Sequence, residues 1–559
     1  MEITNTESTI NRELSRERAE NESKRADVKQ HADKLIQGFE KLEESHAKRA
    51  IWELFQNAID LSDNCEVVIR LTENHIIFEH NGKPFTSNTL SCLIKQVSSK
   101  NSQNNEDEVG QYGTGFITTH SFGKKILITG SIKEGDYYIP IKDFEIDRVV
   151  DNSDQLIDKI IDQQQQVFDL VGQGELISEC SPFTKFAYET LSTIEKQNAN
   201  KAVESLKIIL PYVMMINNKL KQVQFYDKQN NLTTYIKGSS QLIDEVNVTD
   251  IHINQNTTKI FSLYSKEKDL TIILPLSESD KSIILDENLS KLFLYYPLIG
   301  SENFGFNFVV HSKRFAPTEP RDGIHLKSKN EQVQEKEFSN RELLDKASSM
   351  IFEFVEKNAT NIEQPKNLGY INFNTDIPNI HLSKYFKELK EKWVENFKNF
   401  QIVETQEGKL KPKEVYFFSN ELLLDDEYYA SIYYITNLFW KNIPKKEIAK
   451  SWTENINYWE DVNTNFIKIE DIVRKIEEVK TLEFFPNQKE LISFYEYLQK
   501  HQFGDLFNKH SLLPNIKNEF RLFSQLNSTH NIDDVLIKVA DVIIPEVPKR
   551  YIKQGFELN

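Results

Sequence analysis

At 559 residues the chain exceeds what one hydrophobic core can organise, and 36 Phe with 21 Tyr are ample for several, so roughly three or four domains are expected. A net charge of −17 argues against a surface broadly wrapped in nucleic acid while leaving room for a local basic patch, and no apolar run is long enough to span a bilayer. Cys65, Cys92 and Cys180 stand at unrelated spacings, which suggests neither a disulfide framework nor a zinc site and suits a soluble protein of a reducing, cytoplasmic compartment.

Residues 1–24, rich in Glu, Arg, Asn and Ser, read as a flexible or helical arm. From Val28 to Leu61 the apolar residues follow a helical period, with Gly38 as a candidate break. Ile51, Leu54, Phe55, Ala58 and Ile59 recur at helical spacing, and Glu53, Asn57 and Asp60 share a stripe at about 100° per residue. A carboxylate and a carboxamide one turn apart suit two tasks. The amide oxygen can ligate Mg²⁺, and the acid can orient or deprotonate a water. An amphipathic helix with a solvated polar face explains the same pattern. Two strands, Glu66–Leu71 and His75–Glu79, are joined at Thr72-Glu73-Asn74, and the turn His80-Asn81-Gly82-Lys83-Pro84-Phe85 follows. Residues 86–97 look helical, and Ser98 to Glu108 is a polar, low-complexity loop. Gly110-Gln111-Tyr112-Gly113-Thr114-Gly115-Phe116 is glycine-rich and runs into an apolar segment, so its N–H groups can cradle phosphates.

These three motifs, in this order, resemble the GHKL (Bergerat-fold) ATPases. Within them the chain looks closest to the branch of the ninety-kilodalton heat-shock chaperone and sacsin, whose loop reads GQFGVGF against GQYGTGF here. The resemblance implies ATP and Mg²⁺ as cofactors. It makes Asn57 the metal ligand and Glu53 the residue that activates the attacking water. It also sets Asp60, His80, Gly82, Gly110, Gln111, Tyr112, Gly113, Thr114, Gly115 and Phe116 around the nucleotide. Residues 98–108 correspond to an ATP lid, from which Lys100 could reach a phosphate, a solvated lysine being the plain alternative. His80 is the main departure, because the family usually has an aspartate there that accepts from the adenine amino group. A neutral imidazole can accept through one nitrogen and an imidazolium only donates, so nucleotide affinity is expected to fall as pH drops through the His80 pKa.

Further along, Lys125–Ile132 and Tyr137–Ile141 form a second hairpin, and residues 151–170 a helix with the run Gln163 to Gln166, read as an insertion or exposed element. Ser181-Pro182-Phe183-Thr184-Lys185-Phe186-Ala187-Tyr188 alternates like a strand. It resembles the family's G-T-x-[FV] strand with Phe183 in place of the glycine, which nominates Thr184; a buried strand threonine is the plain reading. Residues 200–222 read as an apolar helix leading out of the ATPase domain, and short strands dominate from Val223 to about Leu326. Lys313 and Arg321, in a segment resembling the sacsin-like P-T-x-x-R-[DE], are candidates for a cation at the γ-phosphate, against a surface salt bridge near Asp322. Beyond residue 330 the pattern is mostly helical, with Trp393, Trp440, Trp452 and Trp459 as bulky core groups. Two weakly repeated strand-turn-strand stretches stand at Ile402–Leu410 and Leu513–Phe520.

The fold expected is α+β: an arm (1–24), a GHKL α/β sandwich (25–200), an α/β middle domain resembling a transducer (201–330) and a mostly helical C-terminal region with short hairpins (331–559). The resemblance implies an ATPase that forms a homodimer on binding ATP and acts as a conformational switch on a protein client or partner subunit, with no membrane involved. A nucleic-acid-linked ATPase similar to MORC or MutL proteins, in defence or repair, stays open and is less favoured by the acidic charge. So does a nucleotide-binding scaffold without turnover.

Overall fold

The computed structural model describes residues 3–42, 44–96, 115–319, 321–327, 334–460, 464–528, 532–544 and 546–557. These form an α+β protein of two compact units, the first made by residues 1–279, 284–304 and 308–347, the second by residues 280–283, 305–307 and 348–559. No helix among the described residues is long and apolar enough to cross a membrane.

The first unit opens with a helix α1 (Ile3–Glu40) and a helix α2 (Glu44–Asp60). The expected break at Gly38 is not where the helical pattern stops, since α1 runs through that residue and ends at Glu40. Gly38 serves packing instead: a Cβ there would stand 2.9 Å from Cγ2 of Ile117. From Arg12 to Asp27 every residue of α1 but Arg25 is exposed. Arg25 is tied down by Asp154 and Asp158 of helix α4 (Ser153–Gln173).

Strands β1 (Cys65–Leu71) and β2 (His75–His80) form the first hairpin, and helix α3 (Ser87–Lys95) follows. The second hairpin is β3 (Lys125–Glu134) with β4 (Tyr137–Asp147), and β5 (Thr184–Glu189) inserts between β2 and β3. Helix α5 (Thr193–Ile216) starts from a Ser192/Glu195 capping box and ends before β6 (Leu220–Tyr226), so the segment expected as helix to residue 222 turns to strand at Leu220. β6 pairs in parallel with β1, Cys65 against Leu220. Four antiparallel strands continue outward, β7 (Leu232–Ile243), β8 (Val246–Ile253), β9 (Asn256–Ser265) and β10 (Leu270–Leu274). Short strands β11 (Leu292–Leu294) and β12 (Tyr296–Pro297), with the later Val309–Ser312, complete one thirteen-stranded mixed sheet. The segments expected as separate ATPase and middle domains therefore share a sheet. Helix α2 packs on β1 and against α5, and α5 reaches β7, β8 and β9, joining both halves in one core around Phe55, Ile69, Leu206 and Val223.

The glutamine run of α4 is only partly the exposed element expected of it. Gln163 is 5% exposed and accepts a 2.8 Å hydrogen bond from Arg148, itself fully buried, whose other arm donates to Ile94 O at 2.6 Å. Helical period turns Gln165 and Gln166 outward and Gln163 inward.

In the second unit, Trp393 and Trp459 both donate their indole N–H to Gly369 O, at 3.1 and 3.2 Å. The two repeated stretches are hairpins, Val403–Thr405 with Gly408–Leu410 and Leu513–Pro514 with Phe520–Arg521. Their turns share a construction. Thr405 Oγ1 and Asn515 Oδ1 each accept from the backbone two residues on, and the fourth residue, Gly408 or Asn518, takes a positive φ of 108° or 66°.

Replacing Gln163 by Leu strands the Arg148 guanidinium and is expected to cost about 1–3 kcal/mol in urea unfolding, whereas Gln166→Leu costs less than about 0.5 kcal/mol.

Candidate active site

Burial decides what α2 can offer. Between Ala50 and Asp60 every residue is buried except Glu53 and Asp60, which are half-buried, and Asn57, which is exposed. Over Ala50–Asp60 the stripe picked out by helical spacing is thus the open face of the helix, its other residues being buried.

Glu53 is held from both sides. Arg49, one turn earlier, donates from Nε and a terminal nitrogen to Oε1, each at 3.1 Å, with the two side chains only 17% and 13% exposed. Gly115 lies against the rest of the carboxylate: a Cβ there would stand 2.6 Å from Cδ, and Oε2 is its nearest neighbour. Any larger residue would push the end of the acid side chain aside, so the close approach favours glycine here. Thr118 Oγ1 caps Gly115 O at 2.6 Å as the chain enters a 3-10 turn over Gly115–Ser121.

From Gly115 a chain of aromatic contacts leads to the other end of the site. The Phe116 ring meets Phe186 at 6.0 Å between centroids, and Phe186 stacks with His80 at 6.1 Å and 20°. His80 and Thr184 are cross-strand partners on β2 and β5, 3% and 4% exposed. The Gly82 N–H donates to His80 Nδ1 at 3.0 Å, and a Cβ on Gly82 would meet both that nitrogen and Leu61 Cβ at 2.8 Å. The residue just beyond α2 therefore touches the turn that carries His80. Glu53 and Gly115, Phe116 and Phe186, Phe186 and His80, and His80 with Thr184 and Gly82 are thus linked in succession, while Asn57 and Asp60 share the α2 stripe with Glu53. Lys100, Gly110, Gln111, Tyr112, Gly113 and Thr114, with the expected lid at 98–108, lie outside the described residues.

Lys313 and Arg321 stand differently. Lys313 is exposed, with Nζ 5.4 Å from the Tyr295 ring centroid, and Arg321 occupies a left-handed turn position (φ 69°) closed by its N–H to Thr318 O at 2.6 Å. The cation that the structure puts on Glu53 is Arg49. Asp322, expected as part of a surface ion pair, accepts from Thr318 Oγ1. Tyr296 of β12, the neighbour of Tyr295, is 8% exposed; burial, then the nearby Asp60, pushes its phenol well above the usual range. Sequence reading missed Arg49 and Tyr296. The i,i+4 spacing of Arg49 and Glu53 was a signal for the first; nothing local marks the second.

Burial pushes the His80 imidazole down to about 4, which moves the pH window of the affinity change expected from sequence out of the neutral range to about pH 4. The nitrogen free to accept is already engaged by Gly82, so the expected acceptor role toward an amino group is also displaced. Burial likewise lowers His120 to about 3 and His311 to about 4.

Asn57 fits a Mg²⁺ shared with phosphates: it offers one neutral amide oxygen on the open face, and this ion commonly takes one or two protein oxygens plus phosphate and water. Among the described residues no group of His, Cys, Asp or Glu could cage a metal on its own.

Residues 45–175 match the family described as histidine kinase-, DNA gyrase B-, and HSP90-like ATPase. The chain carries a domain of the GHKL superfamily. No curated protein matches the chain.

All three histidines are neutral when folded and have folded pKa values below 6.5, so the unfolded chain binds more protons between about pH 4 and 6.5. Stability is expected to fall as pH drops through that window, by about 1.4 kcal/mol per pH unit for each histidine at most. Unfolding melts at pH 7 and pH 5 check this, and His311→Gln should lessen the difference.

Proposed function

We propose that the chain is a Mg²⁺-dependent ATPase in which nucleotide-driven closure and pairing of two N-terminal domains act as a conformational switch, in the manner of the heat-shock-chaperone and sacsin branch. One observation carries the reading: an acid and an amide occupy the open face of the otherwise buried stretch Ala50–Asp60, with a glycine pressed onto the acid, inside the segment that matches the ATPase family.

Asn57 is the residue that would hold Mg²⁺, which when bound supplies charge neutralisation at the phosphates. Glu53 orients the attacking water and takes its proton through Oε2, because Oε1 is engaged by Arg49. Arg49 is a positioning residue: its fork fixes the carboxylate, whose alternative rotamers would point it away from the phosphates. Gly115 lets backbone approach the same point without a side chain intervening. Lys313 or Arg321 supplies the cation that stabilises charge on the transferring group. The exposed part of α1, polar on all sides, is the element available to a second copy, and the switch acts on a protein client or partner subunit.

Glu53→Ala is expected to keep Mg-ATP binding by calorimetry and to lose turnover by about 10²–10⁴-fold, whereas Asn57→Ala loses both. Equal turnover in wild type and Glu53→Ala would remove the assigned base. Arg49→Gln should lower kcat with little change in nucleotide Kd and shift the pH profile of kcat, and Arg49→Lys should restore part of the rate. A structural role for Arg49 alone would leave the profile in place. Size measurement with a non-hydrolysable ATP analogue is expected to show a dimer; DNA-stimulated turnover would move the reading to the nucleic-acid-linked class.

A further inference from the structure

The turn after β2 sets the polarity of one end of the strip. A neutral imidazole carries a single N–H, so a ring whose Nδ1 accepts a hydrogen bond carries its proton on Nε2. That is the state of His80, where the Gly82 backbone N–H donates to Nδ1 at 3.0 Å. The contact is built in: Gly82 is wedged between this ring and Leu61, and the ring is 3% exposed and stacked on Phe186. Among the described residues the one hydrogen bond of the ring is that to Nδ1, and none is made to Nε2. Thr184, directly across from His80, adds a hydroxyl that can turn either way. Around them Phe186 and Phe116 give flat apolar surface. The Glu53 carboxylate lies at the Gly115 end, with Asn57 one turn further along α2. A nucleotide with its phosphates there has its base against the aromatic end.

We propose that His80 meets the purine base as a hydrogen-bond donor, so that the base subsite reads an acceptor on the purine edge and takes 6-oxo purine nucleoside triphosphates at least as well as ATP. This rests on the nucleotide reading above. A carboxylate at this position would accept from an exocyclic amino group and select adenine. A donor N–H facing that amino group sets hydrogen against hydrogen, whereas it pairs with O6 of inosine or guanine in the same place; adenine satisfies it only by shifting to present N1. Discrimination by hydrogen bonding in a buried site is strong because an unmatched partner has no water to turn to.

Calorimetric titration of the full chain with Mg-ATP and Mg-ITP, which differ at the six-position edge, tests this. Wild type is expected to bind ITP as tightly as ATP or more tightly, and His80→Asp to shift the ITP/ATP affinity ratio toward ATP by about tenfold or more. The ratio within one protein is insensitive to a partial loss of folded material. Should His80→Asp not fold, the wild-type ratio and ¹⁵N NMR of the imidazole decide, the latter expected to show the proton on Nε2. A wild-type preference for ATP of tenfold or more, an unchanged ratio in His80→Asp, or a proton on Nδ1 would each overturn the assignment while leaving an ATP site intact. Binding of neither nucleotide would remove the nucleotide reading, and this inference with it.

Discussion

A helix enclosed by the core on every side but one is the constraint on which this structure turns. The buried residues of α2 fix its rotation, because turning it would carry Glu53 and Asn57 into the core and expose Phe55 or Leu54 in their place. The open stripe is thus positioned by hydrophobic packing rather than by its own polar contacts. Gly115 then brings backbone from another part of the chain onto the same acid, where a side chain would push the carboxylate aside.

The polar groups around this stripe divide by what burial does to them. Arg49 and Glu53 are buried enough for their pairing to be directional, yet they remain on the open face where a ligand can compete. His80, His120 and His311 are deeper and neutral, so they act as fixed donors and acceptors and not as charges. His120 shows the same logic near the site: Gln96, which caps α3 with φ 54°, lies 2.9 Å from its Nε2 in the interior. In the second unit the two hairpins repeat one solution to a tight turn, a side-chain oxygen accepting from the backbone ahead of a left-handed residue. The aromatic cluster beside the first of them is organised by one carbonyl that satisfies two indoles.

What could be read directly from the sequence was local. The helical stripe of α2, both N-terminal hairpins, the β5 strand and the two C-terminal hairpins follow from periods of 3.6 and 2 and from turn residues, and all lie within a few residues of one another. The motifs also pointed to the GHKL superfamily, which the match over residues 45–175 bears out. Less visible were features set by partners far off in the chain. Gln163 looks like its neighbours in a polar run until Arg148 is placed beneath it. Gly38 looks like a helix break until Ile117 packs on it.

The sequence by itself determined which side chains share a face and which chemistry they can support, because backbone period is a property of consecutive residues. Only the tertiary structure decided that β1 pairs with β6, Cys65 beside Leu220, so that two expected domains share one sheet. It alone decided that Arg49 is the cation on Glu53, and that a backbone N–H occupies the accepting nitrogen of His80. Sheet pairing and hydrogen-bond polarity depend on which groups compete for the same neighbour, and that competition exists only once the chain has closed on itself.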